Sequence, residues 1–340
     1  MNLGELPMIT FTVITQMCVG MFIVLGILQL AGRSKFSQAA MERLTNPAVL
    51  AIGPAMVIGL IVSMFHMHDV THVFNVFRHF GTSWLSREIV FGLGFAALGF
   101  LFCLMQLFEW GSATARQIVA GLAALVGIGL IVCQAQIYYS LVTVPAWNSW
   151  ATWVQFFATA LILGSLAVGA TFTLIVRNRD RRFAKLTETE IAELKPLSQQ
   201  GSSVARTRAF LSDRYVVEGL ERDEIDRLLV WATRWTTVFA IVAAAVLLIA
   251  MPLYVSQLAL QGGIAAEAAA HYASWVSVLR FAALVIGALG CGLAAFFVAA
   301  QSPVNMGRLT ALMVTGFLLA LIGEFAGRTL FYDVMLRVGI

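Results

Sequence analysis

Charge is what this chain has least of. Only 12% of its 340 residues are Asp, Glu, Lys or Arg, where a soluble domain carries roughly 25%. With 60% hydrophobic residues and a mean hydropathy of +0.86, the protein has more apolar surface than a water-soluble fold could hide. Several other absences narrow the reading. There is no Walker sequence and no Rossmann fingerprint after a strand, which excludes the common nucleotide-binding motifs. No repeat of 20–50 residues is visible, which excludes a solenoid. The four cysteines, Cys18, Cys103, Cys133 and Cys291, are scattered and form no CxxC. They read as small packing residues rather than ligands of zinc or an iron–sulfur cluster. Met1–Pro7 contains no Lys or Arg, so it lacks the basic n-region of a signal peptide, and the apolar run behind it is too long for an h-region. It is expected to be a retained first helix.

What is present is a set of long apolar runs. A membrane span needs about 20 mostly apolar residues, and eight stretches qualify: Met8–Ala31, Asn46–Phe65, Glu88–Trp110, Gln117–Val142, Trp150–Val176, Leu228–Val255, Ala273–Ala300 and Val304–Ala326. None alternates as a barrel strand does. The expected fold class is therefore all-α: a polytopic integral membrane protein of eight transmembrane helices, expected to bundle, with a long charged linker between helices 5 and 6. The sequence divides into residues 1–176 (spans one to five), the linker 177–227, and residues 228–340 (spans six to eight). The linker holds eleven basic and ten acidic residues. Its segment "TETEIAEL" opens with a capping box, Thr187 to Glu190. Small residues such as Ser165 with Gly169, and Gly287, Gly290 and Gly292, suit close helix packing in lipid.

The net charge of +4 is read as topology rather than as attraction to nucleic acid, because basic residues orient membrane proteins. With the N-terminus outside, the first inside loop carries Arg33, Lys35 and Arg43 and the charged linker also falls inside. Arg78, Arg87, Arg328 and Arg337 fall outside. The expected topology places both termini outside.

Charges inside spans are costly and mark functional sites by default. The candidates are Glu88, Glu109, Arg234, Arg280, Glu324 and Arg328. Glu109 and Arg234 lie near inside ends, where snorkelling accounts for them. Glu324 and Arg328 are spaced i,i+4 and are expected to form a structural ion pair, with Arg280 able to reach Glu324 from the neighbouring helix. Glu88 opens the third span, in the favourable end of the helix dipole, with Ser83 or Ser86 as cap.

Four of the five histidines, His66, His68, His72 and His79, lie within Ser63–Ile89. Val70, Val73, Phe74, Phe77 and Phe80 form an apolar helical stripe there. His68, His72, Asn75 and His79 take the other face, and Gly81 ends the turn. This reads as an interfacial helix with three solvated imidazoles; the i,i+4 pair His68 and His72 is compatible with a metal, but no further ligand pattern supports one, so no metal site is expected. No span carries a His in its interior, which argues against haem. His66 stands apart. It ends the second span, where Glu88 should be a near neighbour. An imidazole and a carboxylate at a membrane edge suit two-proton chemistry on a lipid-soluble substrate.

These residues carry a resemblance. Ser63-Met64-Phe65-His66, then Phe74-Asn75, then Gly81-Thr82-Ser83-Trp84-Leu85-Ser86-Arg87-Glu88-Ile89 resembles the membrane-anchor subunit of the DMSO reductase family of molybdopterin oxidoreductases. So do Tyr138, Val144-Pro145-Ala146-Trp147-Asn148-Ser149 and Phe156-Phe157, and so do Gly323-Glu324, Gly327-Arg328 and Phe331-Tyr332. His66-Met67-His68-Asp69-Val70 departs from the family's His-Leu-Gly-x-Pro. The resemblance implies a quinol-binding anchor in a bacterial inner membrane, with no haem and no iron–sulfur cluster of its own. Its bound substrate would be quinol or quinone, either menaquinone or ubiquinone. Its partners would be a four-cluster, ferredoxin-like iron–sulfur subunit and a molybdopterin catalytic subunit, in anaerobic respiratory electron transfer. His66 matches the proton-accepting histidine and Glu88 the functional carboxylate. Asn75, Ser83, Arg87 and Tyr138 are further quinol-binding candidates, while Trp84 and Trp147 are expected to anchor the interface. Two other readings remain open at this point: an anchor working in reverse, reducing quinone for a molybdenum dehydrogenase, and a secondary transporter using Arg280 and Glu324 as a relay.

Overall fold

A computed structural model describes residues 5–64, 79–193 and 219–338. Among them every regular element is helical, and eight helices are long and apolar enough to cross a membrane. The spans are α1 (Leu6–Gly32), α2 (Gln38–Met64), α3 (Trp84–Leu107), α4 (Ala113–Tyr139), α5 (Trp150–Phe183), α7 (Gly219–Gln261), α9 (Trp275–Ala299) and α10 (Met306–Asp333). Two short helices accompany them, α6 (Glu188–Glu193) in the linker and α8 (Gly263–His271) before α9. The protein is a multi-pass, all-α membrane protein. Lipid offers the backbone no hydrogen-bond partner, so each apolar run closes its own ladder as a helix.

Ends that hydropathy leaves blurred are set by capping. Ser83, Ser112 and Ser149 accept from backbone N–H groups in the first turns of α3, α4 and α5, and Asn305 does the same for α10. Helix α2 begins eight residues before the expected span, capped by Ser37, and runs through Pro47 and Pro54. Helix α7 starts in the charged linker at Gly219 and continues unbroken across the membrane, through Pro252. His271 is the last residue of α8. Arg328, expected outside the last span, lies well within α10, which runs on to Asp333.

Helix α5 is the central member. It packs against α1 on one side and against α7 and α10 on another, while α3 and α4 pair with each other and α2 lies along α1. The α1–α5 contact is made backbone to backbone. A Cβ at Gly20 would collide with the Ala160 carbonyl, and one at Gly164 with the Gly20 backbone. Without a hydrophobic drive between helices in lipid, such close approach is how they hold together. Gly164→Val is expected to cost about 3 kcal/mol, the upper end for overpacking. Thermal unfolding in detergent would reveal this as a clearly lowered transition; an unchanged transition would mean that the helices separate freely.

Within α9, residues Val285–Cys291 form a π-helical turn. It presses on α10 at Gly287, where a Cβ would meet the Leu319 side chain at 2.7 Å.

At the linker end of the bundle, Arg179 joins α5 to Asp226 of α7 at 2.7 Å, and the Ser37 backbone and hydroxyl donate to Glu224 at 2.6 and 2.8 Å. The capping box forms as expected. Thr187 donates its backbone N–H and its hydroxyl to Glu190 at 2.9 and 2.8 Å, and the Glu190 N–H reaches Thr187 Oγ1 at 3.4 Å. The backbone bond first and the hydroxyl second hold the Glu190 carboxyl below the usual carboxylate range.

Candidate functional site

The site lies at the opposite end, where α1, α3, α5 and α9 begin and α4, α7 and α10 finish. Ser83 fixes the start of α3, so Glu88 falls one turn inside it and is buried, with 7% exposure. Its carboxylate meets the Gln134 side chain of α4. Behind that contact runs a set of polar side chains buried between helices. Gln134 Nε2 donates to Thr15 Oγ1 at 3.1 Å, Gln16 Nε2 donates to Gln134 Oε1 at 2.9 Å, and Arg328 Nη2 donates to Gln16 Oε1 at 2.8 Å. The guanidinium of Arg328 also lies 3.8 Å from the ring centre of Phe156.

An aromatic cluster roofs this set. The hydroxyls of Tyr138 and Tyr332 are 2.6 Å apart, and Tyr138 also donates to Met8 Sδ at 3.4 Å. Both tyrosines are within electrostatic reach of Glu88. Trp147 stacks on Phe331 at 5.5 Å and donates its indole N–H to the Phe331 carbonyl at 2.7 Å. It is buried, which corrects the expectation of an interface anchor: its N–H finds its partner on α10 rather than at the lipid headgroups. Just outside the cluster, burial and then the neighbouring Asp333 raise the Glu5 carboxyl above its ordinary range.

A second polar group lies deeper between α5, α9 and α10. Arg280 donates to Gln155 Oε1 at 3.2 Å and approaches Glu324 at 3.9 Å, while Thr159 donates to Glu324 at 2.7 Å. Gly327 gives Arg280 its room, since a Cβ there would collide with the guanidinium. Glu324 thus pairs with the neighbouring helix. The i,i+4 partner expected from spacing, Arg328, turns instead to Gln16, because α1 offers it an acceptor at hydrogen-bond distance.

The other sequence candidates divide clearly. Ser83 caps α3. Arg87 spends its donors on the carbonyls of Phe80 and Gly81, at 2.9 and 2.7 Å, and stacks on Trp84 at 4.1 Å. Both residues therefore shape the approach to α3 rather than point into the buried set. His79 is exposed and begins the turn before α3. His66, His68, His72 and Asn75 lie outside the described residues, as does most of the expected interfacial helix. Gln16, Gln134 and Gln155 escaped the sequence reading, which searched the spans for charge. The signal that could have found them is the rarity of amides in such apolar runs.

Eight spans enclosing polar side chains that bond to one another across helices, with a carboxylate held at one end, define a polytopic membrane protein built around a buried polar site. The protein belongs to the DMSO reductase anchor subunit (DmsC) family, whose sequence model matches residues 1–334. It is similar to the C subunit of the anaerobic dimethyl sulfoxide reductase of Haemophilus influenzae, 27% identical over 185 residues, covering 54% of this sequence and 63% of that protein. It is 31% identical over 162 residues to the C subunit of the Escherichia coli K12 anaerobic dimethyl sulfoxide reductase, covering 48% of this sequence and 55% of that one. The YnfH subunit of the same organism is 28% identical over 166 residues, covering 49% and 57%. The matches therefore span somewhat over half the length of these relatives. No solved structure matches the sequence.

Proposed function

We propose that this protein is the membrane anchor of a dimethyl sulfoxide reductase-type complex and that it oxidises quinol where the ends of α2, α3 and α4 meet. The observation that carries the reading is Glu88, a carboxylate buried at the start of a span beside polar side chains, in a member of the anchor family. Quinol arrives from lipid with two hydroxyl protons. His66 accepts one, as an imidazole titrating near neutral pH can, and Glu88 takes the other. Two electrons leave with them, giving quinone. They pass to an iron–sulfur partner subunit and on to a molybdopterin catalytic subunit. The protein would sit in a bacterial inner membrane with both termini periplasmic, so that the site faces the periplasmic side.

The test is the assembled complex carrying His66→Ala. Turnover driven by a quinol analogue is expected to fall by about 10²-fold or more, the lower end for loss of a general base. Unchanged turnover would remove His66 from the mechanism. Purification of the tagged protein alone, with neither an iron–sulfur nor a molybdenum subunit, would overturn the anchor reading.

A further inference from the structure

Glutamine side chains have an oxygen that accepts and a nitrogen that donates, and their outlines are nearly identical. Which way each one faces is settled by its partners. Here both ends of the row are fixed. Arg328 can only donate, so the atom of Gln16 that meets it at 2.8 Å is the oxygen. The Gln16 nitrogen is then turned to Gln134, whose oxygen receives it at 2.9 Å. That leaves the Gln134 nitrogen facing Thr15 and Glu88. The Thr15 hydroxyl has committed its proton to the Phe11 carbonyl at 2.8 Å, so toward Gln134 it can only accept. Glu88 is an acceptor too. Every donor in the row therefore points the same way, from the Arg328 guanidinium to the Gln134 end, where Thr15 accepts and Glu88 meets the same amide, and neither amide can flip without opposing like groups.

The charges agree with this direction. Arg280 has Glu324 beside it, whereas no carboxylate of the described residues lies within 4.0 Å of Arg328. Arg328 meets Gln16 Oε1 and the rings of Phe156 and Phe331. A buried cation needs a counter-charge; Glu324, one turn away on α10, lies within electrostatic reach of Arg328, while the row of amides leads from Arg328 toward the buried Glu88. Hydrogen-bonded rows of this kind polarise one another in a medium of low dielectric.

We propose that Gln16 and Gln134 are positioning residues that form a one-way hydrogen-bond relay, linking the charge of Arg328 to Glu88 and holding that carboxylate as the proton acceptor of the quinol site. The inference rests on the proposed quinol chemistry for its meaning, and on the hydrogen bonds of Arg328, Gln16, Gln134 and Thr15, with Glu88 buried beside Gln134, for its existence. Among the described residues, the other groups within electrostatic reach of Glu88 are Cys133 and Tyr138 on α4 and Tyr332 on α10, with Arg87 beside it on α3. None of these lies in the relay, so breaking it leaves them in place.

The test uses the full complex with Gln16→Glu, which keeps the shape and still accepts from Arg328 but no longer donates to Gln134. Gln134→Met breaks the relay without adding charge and serves as the second variant. A carboxylate that loses donors protonates at higher pH, so activity requiring its ionised form should begin at higher pH. The acidic limb of the pH–rate profile is expected to move up by about one unit, a tenfold loss of rate below it, with the KM for the quinol analogue changed less than twofold. Combined with Glu88→Gln, either variant should add nothing. A readout independent of turnover is the infrared carboxyl band that Glu88→Gln removes; its titration midpoint should rise by about one unit in both variants. A midpoint unmoved in both, or complexes that fail to assemble in both, would overturn the relay. A moved band together with normal turnover in Glu88→Gln would overturn the quinol reading and leave the relay standing.

Discussion

Glu88→Gln is expected to lower quinol-driven turnover by about 10²–10⁴-fold, the range for loss of a positioned acid–base group. Glutamine fills the same volume and can still meet Gln134, so the effect should come from the lost proton acceptor rather than from repacking. Ser83 caps α3 whatever occupies position 88, so the helix start is preserved. The measurement is turnover by the assembled complex with a quinol analogue, set beside turnover with a soluble dye that supplies electrons to the partner subunits directly. The dye-driven rate should be unchanged. Equal losses with both donors would mean that the variant disturbs assembly, and equal retention would leave Glu88 without a part in the chemistry.

Arg280→Ala should be the most destabilising single change of a polar residue. It leaves Glu324 buried at 2% exposure with the Thr159 hydroxyl as its hydrogen-bond partner. Breaking one side of a buried ion pair costs about 3–5 kcal/mol, because the remaining charge is stranded. Replacing both members by apolar groups of similar size, Arg280→Met with Glu324→Leu, should recover most of that loss. The pair is separated by 3.9 Å, beyond hydrogen-bond distance. Its attraction is therefore Coulombic, and the double replacement gives up little directional bonding between the two residues. Thermal unfolding of the three forms in detergent decides the matter. A double variant no more stable than Arg280→Ala would mean that Arg280 and Glu324 are kept for their separate contacts with Gln155 and Thr159.

The spans were legible because lipid makes one demand of every segment that crosses it, and twenty apolar residues state it locally. Capping motifs were legible for the same reason: Ser83 and Thr187 act on neighbours a few positions away. The end of α10 was not. Hydropathy falls where Glu324 and Arg328 occur, so the expected span stopped at Ala326, although the helix continues to Asp333. What permits those charges is a set of partners far away in sequence, Thr159, Arg280 and Gln16, and spacing along one helix carries no trace of them. The same limit explains the misplaced ion pair: i,i+4 spacing shows that Glu324 and Arg328 can meet, not that better partners arrive from α1 and α9. Glu88 was found as a scarce charge at a helix start. Its amide neighbours were passed over because they bear no charge, and their importance comes from where α1 and α4 cross.

The π-helical turn in α9 has a consequence for the phase of that helix. An α-helix advances about 100° per residue, and a π turn accommodates one residue more than an α turn would. Beyond Val285–Cys291 the faces of α9 are therefore rotated by roughly 100° from where an unbroken α-helix would set them. The half bearing Arg280 is registered on Glu324, and the half bearing Phe296 is registered on Arg234 of α7. An unbroken α-helix would set these two contacts at a different angle to each other. The extra residue works as a phase step between the polar interior and the opposite membrane face, so that one helix presents a different side to each.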